Sequence, residues 1–226
     1  MKVIPCPSPN FNARKLPISM LVLHYTGMES GQAAIERLCD PAAQVSAHYV
    51  VEEDGTILNL VAEDQRAWHA GVSAWNGVRD VNSASIGIEI VNGGHDFGLP
   101  DFPAVQIEAV IALCQDILSR HAIHPLDVVG HSDIAPSRKT DPGEKFPWAR
   151  LAAQGIGLFP EGGASEDILE EAALAQRLST IGYDVSAAGA FSDLICAVQR
   201  RYTPADLSGQ AGPHLCAMIG ALSAQR

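Results

Sequence analysis

Ser85-Ile-Gly-Ile-Glu-Ile-Val91 alternates with a period of two, which puts Ile86, Ile88 and Ile90 on one face and Ser85, Gly87, Glu89 and Val91 on the other. A strand is expected here, with the Glu89 carboxylate turned away from the isoleucine face. From Pro103, the apolar positions Ile107, Val110, Ile111, Cys114, Ile117 and Leu118 recur at spacings of three and four, an amphipathic helix with proline near its start. It stops before His124-Pro125, and Asp127-Val-Val-Gly-His131 reads as another short strand. Strand, helix and strand in succession predict an α/β domain.

Working outward, Ile18-Ser-Met-Leu-Val-Leu-His24 is a short apolar run bounded by Thr26-Gly27, so a buried strand is expected with His24 at its C-terminal end. Gly31 to Leu38 is helix-like. The segments Ala47 to Val51 and Thr56 to Val61 flank Asp54-Gly55 and read as a β-hairpin. Ser132 to Phe146 is expected to be a polar loop. Around Leu158 to Ala164 the chain turns Pro- and Gly-rich, so residues 158–164 read as a linker between a domain spanning 1–157 and a helical module spanning 165–226. That module is expected to hold three helices, Glu166 to Ile181, one capped by Ser192 and running to Arg201, and His214 to Leu222.

The 226 residues carry a formal net charge of −11, which argues against an unassisted nucleic-acid binder. No apolar run approaches the ~20 residues needed to span a bilayer. The five cysteines are scattered and form no C-x-x-C pair, so neither a disulfide scaffold nor a cysteine zinc module is expected. The opening MKVIPCPSPNFNARKLP lacks an apolar signal region, and a cytoplasmic location is the expectation, or a periplasmic one if the chain has been trimmed.

Three groups carry chemistry together: His24 and His131 at two strand ends, and Asp141 in the loop after the second. Two imidazoles and one carboxylate make a three-ligand zinc site with a fourth position open to water. An amide is a poor electrophile, so its hydrolysis needs a Lewis acid, a nucleophile available near neutral pH and a base. Glu89 is the candidate base and later proton donor, and Lys139 the candidate stabiliser of the oxyanion. Taken alone, Glu89 reads more readily as a solvent-facing strand residue and Lys139 as an ordinary loop charge.

The strings Leu23-His-Tyr-Thr26, Ser46-Ala-His-Tyr-Val50, Arg66-Ala-Trp-His-Ala-Gly71, Ser85-Ile-Gly-Ile-Glu89 and His131-Ser-Asp-Ile-Ala-Pro-Ser-Arg-Lys-Thr-Asp-Pro-Gly143 occur in that order. Over about residues 15–150 they closely resemble the type-2 N-acetylmuramoyl-L-alanine amidases, zinc enzymes related to AmpD and to the peptidoglycan recognition proteins. The resemblance implies a central mixed sheet flanked by helices and Zn2+ bound by His24, His131 and Asp141. It also implies cleavage of the amide between the lactyl group of N-acetylmuramic acid, or its anhydro form, and L-alanine of the stem peptide, with Glu89 and Lys139 in the roles above. Trp68, His69, Asn82 and Arg138, with Trp75, form a candidate wall for sugar and peptide; both tryptophans read equally well as packing residues.

The helical tail, in Gln176 to Asp184, Gly189 to Ser192 and Ala197 to Tyr202, is similar to the three-helix peptidoglycan-binding domain that follows some of these amidases. Ser208 to Pro213 departs from that pattern, and a module that merely braces the first domain is the alternative. Soluble muropeptides of wall recycling are the expected substrates. The rivals are a periplasmic amidase on polymeric peptidoglycan and a recognition module that binds without cutting. A zinc peptidase or serine hydrolase lacks its usual H-E-x-x-H or G-x-S-x-G string here.

Overall fold

The computed structural model describes residues 2–160, 168–187 and 189–226. Its centre is a six-stranded mixed sheet in the order β1-β5-β4-β7-β3-β8, as expected of the α/β class. The strands are β1 (Val3–Pro5), β3 (Met20–Tyr25), β4 (Tyr49–Val51), β5 (Ile57–Asn59), β7 (Ser85–Ile90) and β8 (Val128–Gly130), while β2 (Phe11–Ala13) and β6 (Gln65–Ala67) form a separate antiparallel pair. Only β4 and β5 run antiparallel within the main sheet, as the expected hairpin, and Gly55 at its turn adopts a φ of 84° that a side chain would oppose.

The two faces of β3 and β7 are sorted by alternation. Leu21 and Leu23 of β3 join Ile86, Ile88 and Ile90 of β7 under helix α3 (Ala104–Arg120), against Ile107, Val110, Cys114 and Ile117. Each such side chain stabilises the fold by roughly 1.5–3 kcal/mol when fully buried. Met20 and Val22 face the opposite way, and His24 continues their row. That second face is covered by the short helix α2 (Val81–Ala84) and by the C-terminal helices α6 (Glu171–Ile181), α7 (Phe191–Tyr202) and α8 (Pro213–Ser223). Helix α1 (Gly31–Cys39), capped by Ser30, buries Leu38 with Val50, Leu60 and Val91 in a third cluster.

Several boundaries differ from expectation. The loop expected from Ser132 instead opens with one helical turn, α4 (His131–Ile134), because Asp133 reaches back to the Gly130 amide at 2.8 Å and closes it. A further helix, α5 (Trp148–Ala152), follows that loop. Helix α6 begins at Glu171 rather than Glu166, with Glu170 extended ahead of it, and the expected linker at 158–164 lies outside the described residues beyond Pro160. Helix α7 starts at Phe191 after its N-cap Ala190, so Ser192 is its second residue rather than its cap. The C-terminal helices share one continuous core with the sheet, in which Trp75 meets Tyr183 at 4.8 Å between ring centres. Among the described residues no helix is long and apolar enough to cross a membrane.

Candidate metal centre

Parallel pairing of β3 with β7 sets His24 opposite Glu89. Register partners point to the same side of a sheet about 5 Å apart, so the imidazole and the carboxylate leave the C-terminal edge side by side. The next strand on the other flank, β8, ends at Gly130, and His131 opens α4 directly beyond it. The loop then returns Asp141 to the same edge, where its carbonyl accepts from the Ser132 amide at 2.9 Å.

These placements bring three ligand atoms together. His24 Nδ1 lies 3.0 Å from His131 Nδ1, and Asp141 Oδ2 lies 3.0 Å and 3.1 Å from them. All three side chains are buried. A tetrahedral zinc site with bonds of about 2.0–2.1 Å has ligand atoms about 3.3 Å apart, so the set fits a small divalent cation. The outer contacts agree. His131 Nε2 donates to the Ala70 carbonyl at 3.0 Å, which leaves its Nδ1 bare, and His24 Nε2 meets His69 Nδ1 at 3.0 Å. Burial, reinforced by His131, lowers His24 to about 4, whereas Asp141 is held well below the usual carboxylate range despite its own burial, through His131 and His24. A neutral His24 imidazole beside an ionised carboxylate is the combination of protonation states a metal requires.

The centre lies in a cleft of about 380 Å³ whose lining includes Glu89, Trp68, His69, Arg138 and Lys139. Glu89 Oε2 is a buried oxygen with no hydrogen-bond partner among the described residues, and burial, with Asp141 adding to it and Lys139 opposing, raises this carboxyl well above its ordinary range. The half-buried Trp68 indole donates to Asn12 Oδ1 at 2.9 Å. Arg138 Nη2 donates to the carbonyls of Ala70 and Val72 at 2.9 and 2.7 Å. Asn82 stands behind the wall, its Oδ1 accepting from the amides of His69 and Ala70 at 3.0 and 2.8 Å. Trp75 lies away from the cleft, buried under Tyr183, and donates to Asp127 Oδ1 at 2.9 Å. The buried His48 accepts the Gly87 amide at 3.0 Å through Nδ1.

Sequence reasoning passed over Tyr25, Asp96 and Thr140, which also line the cleft. Tyr25 Oη is tied to Thr140 Oγ1 at 3.0 Å and to His95 Nδ1 at 2.9 Å. Adjacency to His24 and Asp141 was the available signal for Tyr25 and Thr140. For Asp96 the signal was the glycine-rich run Asn92 to Gly98, whose turn at His95–Phe97 carries it to the rim.

The family model for N-acetylmuramoyl-L-alanine amidases (Amidase_2) matches residues 14–144. The N-acetylmuramoyl-L-alanine amidase AmiD of Escherichia coli is 38% identical over 229 residues, covering 91% of this chain and 82% of that protein. The 1,6-anhydro-N-acetylmuramyl-L-alanine amidase AmpD of Citrobacter freundii is 35% identical over 167 residues, covering 65% of this chain and 87% of that one. Among solved structures, E. coli AmiD in complex with anhydro-N-acetylmuramic acid-L-Ala-D-gamma-Glu-L-Lys superposes with a TM-score of 0.83 over 91% of this chain and 88% of that one. AmpDh3 of Pseudomonas aeruginosa, 34% identical, gives 0.84 over 92% of each chain. By both the matched residues and the shared architecture, the chain belongs to the N-acetylmuramoyl-L-alanine amidase family.

Proposed function

We propose that this protein is a zinc amidase that hydrolyses the bond between the lactyl group of N-acetylmuramic acid and L-alanine of the stem peptide, with soluble anhydromuropeptides of wall recycling as its substrates. The observation that carries the reading is the convergence of His24, His131 and Asp141 beside the unpartnered Glu89 oxygen in one cleft. The substrate class is supported by the relatives, since AmpD is named for the anhydro sugar and AmiD was solved with an anhydromuramyl tripeptide.

His24, His131 and Asp141 would hold the zinc, which when bound supplies Lewis acidity and makes water available as a nucleophile near neutral pH. Glu89 accepts the water proton on its carboxylate and returns it to the departing L-alanine amine. A carboxyl moved toward neutrality by burial is suited to both transfers. Lys139 directs its ammonium to the scissile carbonyl oxygen as negative charge develops there. Trp68 offers a ring face to sugar or peptide, while Arg138, Asn82 and His69 keep the wall and the first ligand in place.

The test is mass spectrometry of an anhydromuropeptide incubated with the protein, with and without a chelator. Release of an intact stem peptide beginning at L-alanine, lost on chelation and restored by zinc, is the expected result. Cleavage of polymeric peptidoglycan alone would replace the recycling role with a wall-degrading one. No cleavage of either would make the protein a binding module.

A further inference from the structure

Strand β8, which delivers His131, is an edge strand held to the sheet by only three register pairs with β3. A ligand must be held within about 0.5 Å of its working position, and so short an edge does not supply that by itself. Two carboxylates bracket the strand. Before it, Asp127 accepts from Trp75 Nε1 at 2.9 Å and from Arg226 Nη1 and Nη2 at 3.0 and 2.6 Å. After it, Asp133 Oδ2 accepts from the Gly130 amide at 2.8 Å and from Arg201 Nη1 at 2.9 Å, and Oδ1 accepts from the Tyr183 hydroxyl at 2.8 Å.

Asp133 and Arg201 are 1% and 4% exposed, so this is a buried ion pair. Taking two charges out of water costs several kcal/mol per ion, and a partner lost there leaves an uncompensated charge. Both oxygens of the Asp133 carboxylate are engaged, and the Arg201 guanidinium also lies 4.1 Å from the Trp148 ring centre. The geometry is specific to one ligand: the Gly130-to-Asp133 bond closes the helical turn in which His131 stands, and the same carboxylate is gripped by Arg201 of α7 and by Tyr183, two residues past the end of α6.

We propose that the C-terminal helices are part of the scaffold of the metal centre, with Arg201 and Tyr183 as positioning residues that hold His131 through Asp133. The proposal rests on His131 being a metal ligand, and it gives the C-terminal region a role in catalysis that requires no glycan to be bound there. A change at α7 is thereby transmitted to the metal through one carboxylate.

The experiment measures zinc affinity of the full chain by competition with a chelating dye, alongside thermal unfolding and the visible spectrum of the cobalt-substituted protein. Arg201→Met is expected to weaken metal binding about tenfold to hundredfold, the range for loss of support around a ligand, and Tyr183→Phe severalfold. In an Asp133→Asn background, Arg201→Met should add nothing further, because its effect runs through that carboxylate. Leu215→Ala, a core truncation on α8, a helix that carries neither Arg201 nor Tyr183, should lower the unfolding temperature and leave zinc affinity and the cobalt spectrum unchanged.

Unchanged affinity in folded Arg201→Met, or equal weakening by Leu215→Ala, would overturn the proposal. If Arg201→Met does not fold, Tyr183→Phe decides, since it keeps the ion pair and removes one hydroxyl. A native chain that binds no zinc would instead sink the metal reading itself, before any variant is compared.

Discussion

His24 and His69 form a directional pair: His24 Nε2 donates to His69 Nδ1 across 3.0 Å. The direction is dictated from behind. The Val81 carbonyl only accepts, so the Ser85 hydroxyl donates to it at 2.6 Å and accepts from His69 Nε2 at 3.2 Å. His69 is then bare at Nδ1, and burial, with His24 next, keeps it neutral. His24 in turn carries its proton on Nε2 and presents a bare Nδ1 to His131 and Asp141. The tautomer of His24, a proposed metal ligand, is thus set by a backbone carbonyl three hydrogen bonds away.

Breaking that chain should weaken the metal centre without removing a ligand. His69→Phe keeps a ring in the cavity and loses the acceptor, and zinc affinity is expected to fall about tenfold to hundredfold in a chelator competition. Gly87→Ala should be worse for the fold, because a Cβ there would sit 2.4 Å from the His69 ring. An unaltered zinc affinity in His69→Phe would remove the relay from the account.

Glu89→Gln preserves shape but ends proton transfer at that position. Turnover of an anhydromuropeptide should drop by about 10²–10⁴, the usual contribution of general acid–base catalysis, while bound zinc measured by elemental analysis stays at the native level. Full activity with full zinc would take Glu89 out of the mechanism.

Acid should act on stability through groups that do not line the cleft. Burial opposes ionisation of Glu63, yet hydrogen bonds from Arg120, His121 and Tyr49 outweigh it and bring the carboxyl down to about 2. Its folded value lies below the unfolded one of about 4.3. The stabilisation is therefore full above that unfolded value and lost as pH falls toward 2. After discounting for solvent screening at a half-open site it amounts to roughly 1–2 kcal/mol. Urea unfolding of Glu63→Gln between pH 2 and 6 should show a flatter pH dependence than the native chain.

His48 adds a second, earlier slope. Burial lowers it to about 4, below the unfolded value of about 6.5, so the unfolded chain binds the extra proton first and stability declines as pH falls through that window. The decline from this group is about 1.4 kcal/mol per pH unit. Replacing it with Asn, whose side-chain oxygen can still accept the Gly87 amide, should remove that portion of the slope in the same titration.

The sheet's inner face offers a control for stability alone. Ile88→Ala empties a fully buried position under α3 and is expected to cost about 2–5 kcal/mol in urea unfolding. Its zinc affinity, measured in the absence of urea, should match the native chain's.

Local pattern determined much of this protein. Period-two alternation in Ser85 to Ile90 assigned Ile86, Ile88 and Ile90 to one face and Glu89 to the other, and the spacing from Ile107 to Ile117 defined the helix covering the isoleucines. These are short-range consequences of backbone geometry, readable wherever hydrophobic and polar residues alternate. The convergence of His24, His131 and Asp141 was legible because they fall at two strand ends and in one loop. Tertiary structure alone decided what stands behind those ligands. Asp133 meets Tyr183 and Arg201, 50 and 68 residues away, and His24 meets His69, 45 residues away, because the sheet and the C-terminal helices close over one shared core. A buried charge or imidazole takes whichever partner packing brings within reach, and packing is a property of the whole chain rather than of any window of it.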